Sequence, residues 1–319
     1  MNRNYLRQIL LSENNLLITS EGYSAAMIEC FPPIAATNTP ASFFNQNPPS
    51  YKEISAKLLV ELKAQYIGAE MEDINLTDDY TSPELPDLSI AYYRIFGFIT
   101  SSCRWYFSTK QFEQDLLAAE ANPAISCHFL HVNSPGGEAW YLDRLSETMR
   151  TLQKPVFVLI EQICGSAAYY ISCHGNNIQA LTQNDQVGCI GTMTDYWDFT
   201  GYYEQLGLKH IVIKADQSDL KNKKFEDARK GKTEQYRKEL LNPLAEQFIN
   251  EVRDNRPQIK SIPDNDPVLR GETFDTTASI ANGLIDGSMT FTAAVQTALT
   301  MARDYSGKTT QKRALTFLK

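Results

Sequence analysis

Long hydrophobic runs are absent from the 319-residue sequence. The longest, such as residues 156–160, have about five residues, whereas a helix that crosses a bilayer needs roughly 18–20. The opening MNRNYLRQILLSENNLL also lacks the apolar stretch of roughly 7–15 residues and the small-residue cleavage site of a secretory signal. We therefore predict neither a transmembrane segment nor a signal peptide, and we expect a cytoplasmic location.

Cysteine is sparse and irregularly spaced. The six cysteines include no C-x-x-C pair, which fits neither a zinc site nor a disulfide framework. We expect reduced thiols that pack as small apolar side chains. The sequence predicts no metal and no cofactor.

Basic residues are outnumbered, 30 against 38 acidic ones, which leaves a net charge of −8. That balance argues against nucleic acid as the main partner. The remaining composition, 43% hydrophobic and 21% charged residues, is that of an ordinary globular protein. It excludes a chain that is disordered throughout, and the length allows one large domain or two modest ones.

The first 85 residues differ from the rest. A short helix is predicted at residues 5–11, and five prolines then fall within residues 31–53 and break every periodic pattern. A second helix is predicted at residues 54–67, before a linker rich in acids and proline. We divide the chain into a helical and irregular N-terminal arm with its linker (1–85), a main α/β domain (86–302) and a basic C-terminal tail (303–319).

Strand-like and helix-like segments alternate after the linker, which predicts βαβ units and a parallel sheet with both faces covered. Strands are predicted at residues 89–100, 124–132, 155–161, 178–181, 186–190 and 209–214, and helices at residues 109–121, 138–152, 166–173, 196–206 and 233–256.

Small residues collect at three junctions between these elements, where an α/β protein usually builds its site. They are residues 133–137 (NSPGG), 164–170 (CGSAAYY) and 188–191 (GCIG). Paired glycines can turn backbone N–H groups toward a ligand oxygen, and a serine among small residues at a sharp turn can expose its hydroxyl. Each motif alone would also fit a plain turn or a close packing of two elements.

The three motifs occur in an order and spacing that resembles a known family. The segment HVNSPGGEAWYLDRLSETMRTLQKPVFVLIEQICGSAAYYISCHGNNIQALTQNDQVGCIGT is similar to the core of the signal peptide peptidase A-like serine peptidases (family S49). The likeness continues in GYYEQLGLKHIVIKAD and GETFDTTASIANGLIDGSMTFTAAVQTAL, and it covers roughly residues 89 to 301. The resemblance implies a crotonase-like or Clp-protease-like stack of βαβ units.

The resemblance also implies a serine endopeptidase with a serine–lysine dyad, in which Ser166 occupies the nucleophile position. The four histidines fit no Ser/His/Asp pattern, and the His-Gln-Pro segment of the Clp proteases is absent. The oxyanion would be stabilised by backbone N–H groups of Gly136 or Gly137 and of Ala167.

The resemblance implies that the general base falls in the lysine-rich stretch ADQSDLKNKKFEDARKGK. A gapless overlay on the family pattern would place it near Ser218, so this sequence departs from the pattern by a few inserted residues. We select Lys221 as the base, and Lys214, Lys223 and Lys224 remain alternatives. A lysine amine serves as a base only if burial lowers its pKa by several units.

The opening LLSENNLLITSEGYSAAMIECF resembles phage-type members of the family, which cleave scaffold and capsid proteins inside a procapsid. Protein or peptide substrates and a homo-oligomer, with the active site near a subunit interface, are the implied partners. Three alternatives stay open: a catalytically inactive assembly or scaffold protein of the same fold, a host cytoplasmic signal-peptide-peptidase-like protease, and a crotonase-type acyl-CoA enzyme.

Overall fold

A computed structural model describes residues 16–18, 49–66, 74–195, 198 and 200–317. The helix predicted at residues 5–11 and most of the proline-rich arm lie outside this part of the chain. The strands are β1 (Leu16–Ile18), β2 (Leu76–Thr77), β3 (Ser89–Thr100), β4 (Phe107–Ser108), β5 (Ile125–Glu138), β6 (Val156–Gly165), β7 (Asn177–Ala180), β8 (Gln186–Gly188), β9 (Thr273–Phe274) and β10 (Gly287–Ser288). The helices are α1 (Tyr51–Tyr66), α2 (Thr109–Ala121), α3 (Leu142–Thr151), α4 (Ala167–Ser172), α5 (Thr200–Gln205), α6 (Lys223–Arg229), α7 (Glu234–Tyr236), α8 (Asn242–Asn255), α9 (Thr276–Ala281) and α10 (Phe291–Phe317).

The described strands form one mixed sheet whose central path runs β10-β7-β6-β5-β3-β2. All pairs along this path are parallel, and so are β3–β4 and β6–β8, whereas β1–β5 and β8–β9 are antiparallel. Helices connect the parallel strands, as expected for βαβ units. The predicted α/β class with a largely parallel sheet is confirmed.

Side chains that alternate along the central strands enter two hydrophobic cores, one on each face of the sheet. On β3, Ala91 and Tyr93 face one core while Ile90 and Tyr92 face the other. The first core contains residues from α2, α3, α4 and α8, and the second contains Leu59 of α1 and a row of residues on α10. A strand covered on both faces is apolar throughout, which explains the continuous run in β6.

Strand β5 is longer than its sequence predicts, because it continues through the NSPGG motif to Glu138. The motif is therefore an irregular end of a strand and does not lead directly into a helix. Helix α3 begins only at Leu142, after Tyr141 in a left-handed conformation with φ of 73°. The pairing of β3 with β5 shifts register within the motif: Phe96 pairs with Asn133 and Phe98 with Gly136, so β5 contains one extra residue there, as in a β-bulge.

The segment between β8 and α8 departs most from its prediction. Residues 209–214 form no strand, because no strand of the described chain pairs with them, and all of them except the half-buried Lys214 are exposed. The helix predicted at residues 233–256 forms, but it contains a π-helical turn at Arg237–Leu241. Pro243 follows that turn, and because proline has no N–H to donate, the regular α-helical pattern is interrupted there.

Helices α1 and α10 pack on the same face of the sheet. Helix α1 places Leu59 in the second core, and α10 continues through the expected start of the C-terminal tail at residue 303 to Phe317. The division at residues 85 and 302 stays a prediction. Among the described residues, no helix is long and apolar enough to cross a membrane.

Candidate active site

Ser166 lies at the sharp turn between β6 and α4. Its backbone has φ of 55° and ψ of −117°, a conformation that costs a non-glycine residue about 1–3 kcal/mol. The turn is held from both sides: the Ser166 N–H donates to the carbonyl oxygen of Gly188 at 2.9 Å, and the Ser166 carbonyl accepts from the N–H of Tyr170 at 2.9 Å. This strained strand-to-helix serine has the geometry of a nucleophile elbow.

The Ser166 hydroxyl is buried without a hydrogen-bond partner among the described residues, and the whole residue is only 1% exposed. A buried polar group without a partner is rare in a folded protein and requires an explanation. Helix α4 below it is packed tightly, since all six of its residues are buried and the Tyr169 hydroxyl donates to the carbonyl of Leu284 at 2.8 Å. The hydroxyl thus lies beside a tightly packed helix and has no hydrogen bond to a described residue that would occupy it.

Cys164, two residues before Ser166, is the neighbouring thiol. Burial raises its pKa to about 12, and its Sγ donates to the Ser172 hydroxyl at 3.3 Å. Because the thiolate is the nucleophilic form of cysteine, Cys164 remains an unreactive thiol at neutral pH.

The three small-residue junctions meet at the carboxyl ends of β5, β6 and β8. Ser134 of β5 pairs with Cys164 of β6, and Gly165 pairs with Gly188 of β8. Gly188 has φ of +128°, and a Cβ there would lie 2.6 Å from the carbonyl oxygen of Glu272. Glycine is thus required at this position for the close approach that holds the turn.

The candidate oxyanion donors differ in their availability. The Gly136 N–H donates to the Ser134 hydroxyl at 3.1 Å, so it is already engaged. Gly137 lies against β3, where a Cβ would be 2.0 Å from the carbonyl oxygen of Ile99. Ala167 is the first residue of α4, and the N–H groups of a first helical turn have no partner within the helix.

Strand β1 lies beside the glycine motif, a contact that no sequence pattern predicts. Leu16, Leu17 and Ile18 pair antiparallel with Glu138, Gly137 and Gly136. The only sequence signal is a three-residue aliphatic run between polar residues in the N-terminal arm, and a run that short does not predict a strand.

The four candidate lysines lie in an exposed region between α5 and α8. Lys214 is 2.7 Å from Glu226 and Lys223 is 2.9 Å from Asp227, while Lys224 forms an ion pair with Glu239. Lys221 lies in a turn, where its N–H donates to the Ser218 carbonyl at 3.0 Å. Of the four, Lys221 alone has no ion pair with a residue that the structure describes.

Lys154 is a buried lysine that belongs to none of the motifs in the sequence. Its amine donates to the carbonyls of Ala119 and Asn122 at 2.6 Å each, and burial lowers its pKa. However, Lys154 precedes the first residue of β6, whereas Ser166 follows the last. Ten strand residues span about 33 Å, so Lys154 cannot act as the base in this chain.

Three histidines are each matched by a glutamate rather than by Ser166. His128 is 3.0 Å from Glu120, His131 is 3.1 Å from Glu161, and His174 is 3.1 Å from Glu251. The hydroxyls of Tyr93 and Tyr92 contact the other ring nitrogens of His128 and His131 at 3.0 and 2.8 Å. These side chains tie neighbouring elements together.

The part of the chain that contains the Ser166 turn is similar to known peptidases. Residues 148–303, which include the Ser166 turn and all four candidate lysines, match Peptidase family S49. About half of the chain is thus similar to this peptidase family. A putative signal peptide peptidase SppA from Enterococcus faecium is 24% identical over 194 residues, which are 57% of this chain and 53% of that protein.

Other similarities are more partial. A putative protease from Methanocaldococcus jannaschii is 30% identical over 139 residues, 43% of this chain and 44% of that protein. The chain thus spans about half the length of these two curated relatives. Among solved structures, a ClpP1 variant from Listeria monocytogenes aligns with a TM-score of 0.39 and 14% identity, over 64% of this chain and 94% of that one.

Proposed function

We propose that this chain is a serine endopeptidase of family S49, in which Ser166 is the nucleophile and Lys221 the general base. The observation that carries the proposal is the Ser166 turn, where a strained backbone presents a buried hydroxyl without a partner among the described residues. A serine that only packed two elements together would need neither feature. The family match over residues 148–303 and the putative peptidase and protease among the relatives support the same reaction class.

In the proposed mechanism, the neutral Lys221 amine removes the proton from the Ser166 hydroxyl as its oxygen attacks a peptide carbonyl carbon. The tetrahedral oxyanion accepts hydrogen bonds from backbone N–H groups, of which each contributes on the order of 3 kcal/mol. Ala167 and Gly137 are the first candidates, because the Gly136 N–H is engaged by Ser134. The lysine ammonium then protonates the leaving amine, and water releases the acyl group.

Delivery of Lys221 to Ser166 requires burial of the lysine, because a lysine amine in water stays protonated at neutral pH. Lys221 is exposed in the single chain. The segment before it carries large exposed apolar side chains, of which Ile213 is 90% exposed, and Leu208, Ile211, Val212 and Leu220 are each more than half exposed. Such a patch is typical of a protein interface, and we propose that a second copy of the chain covers it.

Phage scaffold and capsid proteins are the substrates that we propose to test first. The proposal comes from the likeness of the N-terminal segment to phage-type members of the family. Most of that segment lies outside the described residues, so it rests on the sequence alone.

The test compares wild type with Ser166→Ala, Lys221→Ala and Lys224→Ala on a casein-type substrate and a fluorophosphonate that labels reactive serines. We expect Ser166→Ala to abolish labelling and to lower turnover by about 10³-fold or more, and Lys221→Ala to lower turnover by about 10²–10⁴-fold. Lys224→Ala is the matched control, because Lys224 is held by Glu239. Equal turnover in wild type and Ser166→Ala would refute the peptidase proposal, and full activity in Lys221→Ala would move the base to another lysine.

The proposed assembly has its own test. Light scattering should give the wild type a multiple of the 36.0 kDa chain mass, and Ile213→Asp should shift it toward the single-chain mass while lowering activity. A monomeric wild type that is fully active would overturn the proposed interface.

A further inference from the structure

Strand β1 occupies a specific edge of β5. A strand has two hydrogen-bonding edges, and at Gly136 and Gly137 one of them is taken by β3, through Phe98 and Ile99. The pairing of β1 with the same two glycines must therefore use the other edge. Earlier along β5, this second edge is paired with β6, and the last pair of residues is Ser134 and Cys164.

Strand β1 lies on this edge close to the Ser166 turn. Ser166 follows Cys164 by two residues, and Ile18 lies opposite Gly136, two residues beyond Ser134. Because β1 runs antiparallel to β5, the chain from Leu16 to Ile18 advances toward Ser134 and the end of β6. The segment thus approaches the Ser166 turn with extended main chain, which is the conformation in which a peptide can pair with a sheet edge.

The side chain of Ile18 is engaged as well. Ile18 is only 2% exposed, although it belongs to a three-residue strand outside the two main hydrophobic cores. On the facing strand, Gly136 has no side chain to occupy the space beside it. The contact thus combines main-chain pairing with a buried aliphatic side chain, the two elements by which a strand-binding edge selects an extended peptide.

We propose that Leu16–Ile18 is a pseudosubstrate strand: it occupies the edge of β5 on which an extended peptide substrate pairs, with Ile18 in the place of an aliphatic substrate side chain. The inference rests on the proposed peptidase function, which it extends to substrate class and regulation. Attachment in the same chain gives the segment an effective concentration on the order of millimolar, so it competes with substrate until it is displaced. Peptides with an aliphatic residue at the position of Ile18 are the preferred ligands.

Binding can be tested without catalysis. A fluorescent peptide with the sequence of residues 12–22 is titrated into full-length Ser166→Ala and into the double variant Ile18→Asp/Ser166→Ala, and its anisotropy is measured. A charge at the buried Ile18 position should release β1, so we expect the double variant to bind the peptide at least tenfold more tightly. A scrambled peptide should bind neither protein. Equal affinity of the two proteins, or binding to neither, would overturn the proposal.

Kinetics provide the second readout. Two variants should each release β1: Ile18→Asp, and Leu17→Pro, which removes a main-chain donor from the strand. Each should raise kcat/KM on a peptide substrate by about tenfold, as expected if the wild-type edge is free in about a tenth of the molecules. Val60→Asp is the matched control, because Val60 is 68% exposed on α1, and it should leave activity unchanged. Thermal melting shows whether each variant is folded.

The two proposals fail separately in these experiments. If the double variant binds the peptide but neither wild type nor Ile18→Asp cleaves substrate or reacts with the fluorophosphonate, the edge assignment stands and the peptidase proposal fails. If wild type and both β1 variants are labelled and cleave substrate at equal rates, the peptidase proposal stands and the pseudosubstrate is refuted.

Discussion

Replacement of Gly137 by alanine separates two roles of the glycine motif. An alanine keeps the backbone N–H that would stabilise an oxyanion, but its Cβ would lie 2.0 Å from the carbonyl oxygen of Ile99 and 2.7 Å from that residue's carbonyl carbon and nitrogen. All three contacts are with backbone atoms of β3, so no side-chain rotation relieves them. The closest contact is about 1.4 Å short of ordinary van der Waals distance, and β3 and β5 must separate where they are hydrogen-bonded.

The expected cost is about 3 kcal/mol of unfolding free energy or more, at the upper end of the range for overpacked sites. For a domain of this size, that corresponds to a decrease in Tm of about 6–12 °C. Differential scanning calorimetry measures the change, and Gly307→Ala is the control. Gly307 lies in α10, and a Cβ added to it would meet no atom within 4 Å, so alanine there should leave stability equal or raise it by up to about 1 kcal/mol.

An unchanged Tm in Gly137→Ala would refute this reasoning. If the variant melts within about 1 °C of wild type but loses activity, position 137 would serve the reaction without limiting the approach of the two strands. A large loss of stability instead places the requirement for glycine in the sheet, whatever the N–H contributes to catalysis.

Two further predictions concern buried charges. Burial lowers the pKa of His128, and the pKa of its partner Glu120 is lowered as well. Below about pH 6.5 the unfolded chain therefore binds more protons than the native state, so the unfolding free energy should decrease as the pH is lowered. Urea denaturation between pH 7 and 5 should show a smaller slope for His128→Gln than for wild type or for the exposed control His210→Gln, and equal slopes in all three would contradict the assignment. Arg256 donates to Asp286 at 2.7 and 3.2 Å from a buried position, so Arg256→Ala should cost about 3 kcal/mol in the same assay, and a loss below about 1 kcal/mol would show that the pair behaves as a surface ion pair.

Local patterns were sufficient for much of the fold. The boundaries predicted for β3 and α2, residues 89–100 and 109–121, are those in the structure. Alternation of strands and helices was enough for the parallel sheet, since parallel strands need crossover connections. The Ser166 turn was predictable for a similar reason, because small residues after a buried strand leave few conformations other than a tight turn.

The segment at residues 209–214 shows where local patterns are insufficient. Its apolar residues predict a strand, yet a strand forms only where another strand supplies hydrogen bonds, and none in the described chain does so. The pairing of β1 with Gly136–Glu138 was equally inaccessible, since it joins residues more than a hundred positions apart.

The sequence by itself determined the α/β class, the three small-residue junctions and the serine at the second of them, because hydrophobic periodicity and the conformations open to glycine and alanine are local properties. Only the tertiary structure decided that the three junctions meet, that the Ser166 hydroxyl is buried without a partner among the described residues, that the Gly136 N–H is engaged by Ser134, and that a strand from the chain's own N-terminal arm lies against the glycine motif. These properties depend on which distant segments pack side by side. Burial and hydrogen-bond pairing across such contacts are fixed when the sheet assembles, and no single segment contains that information.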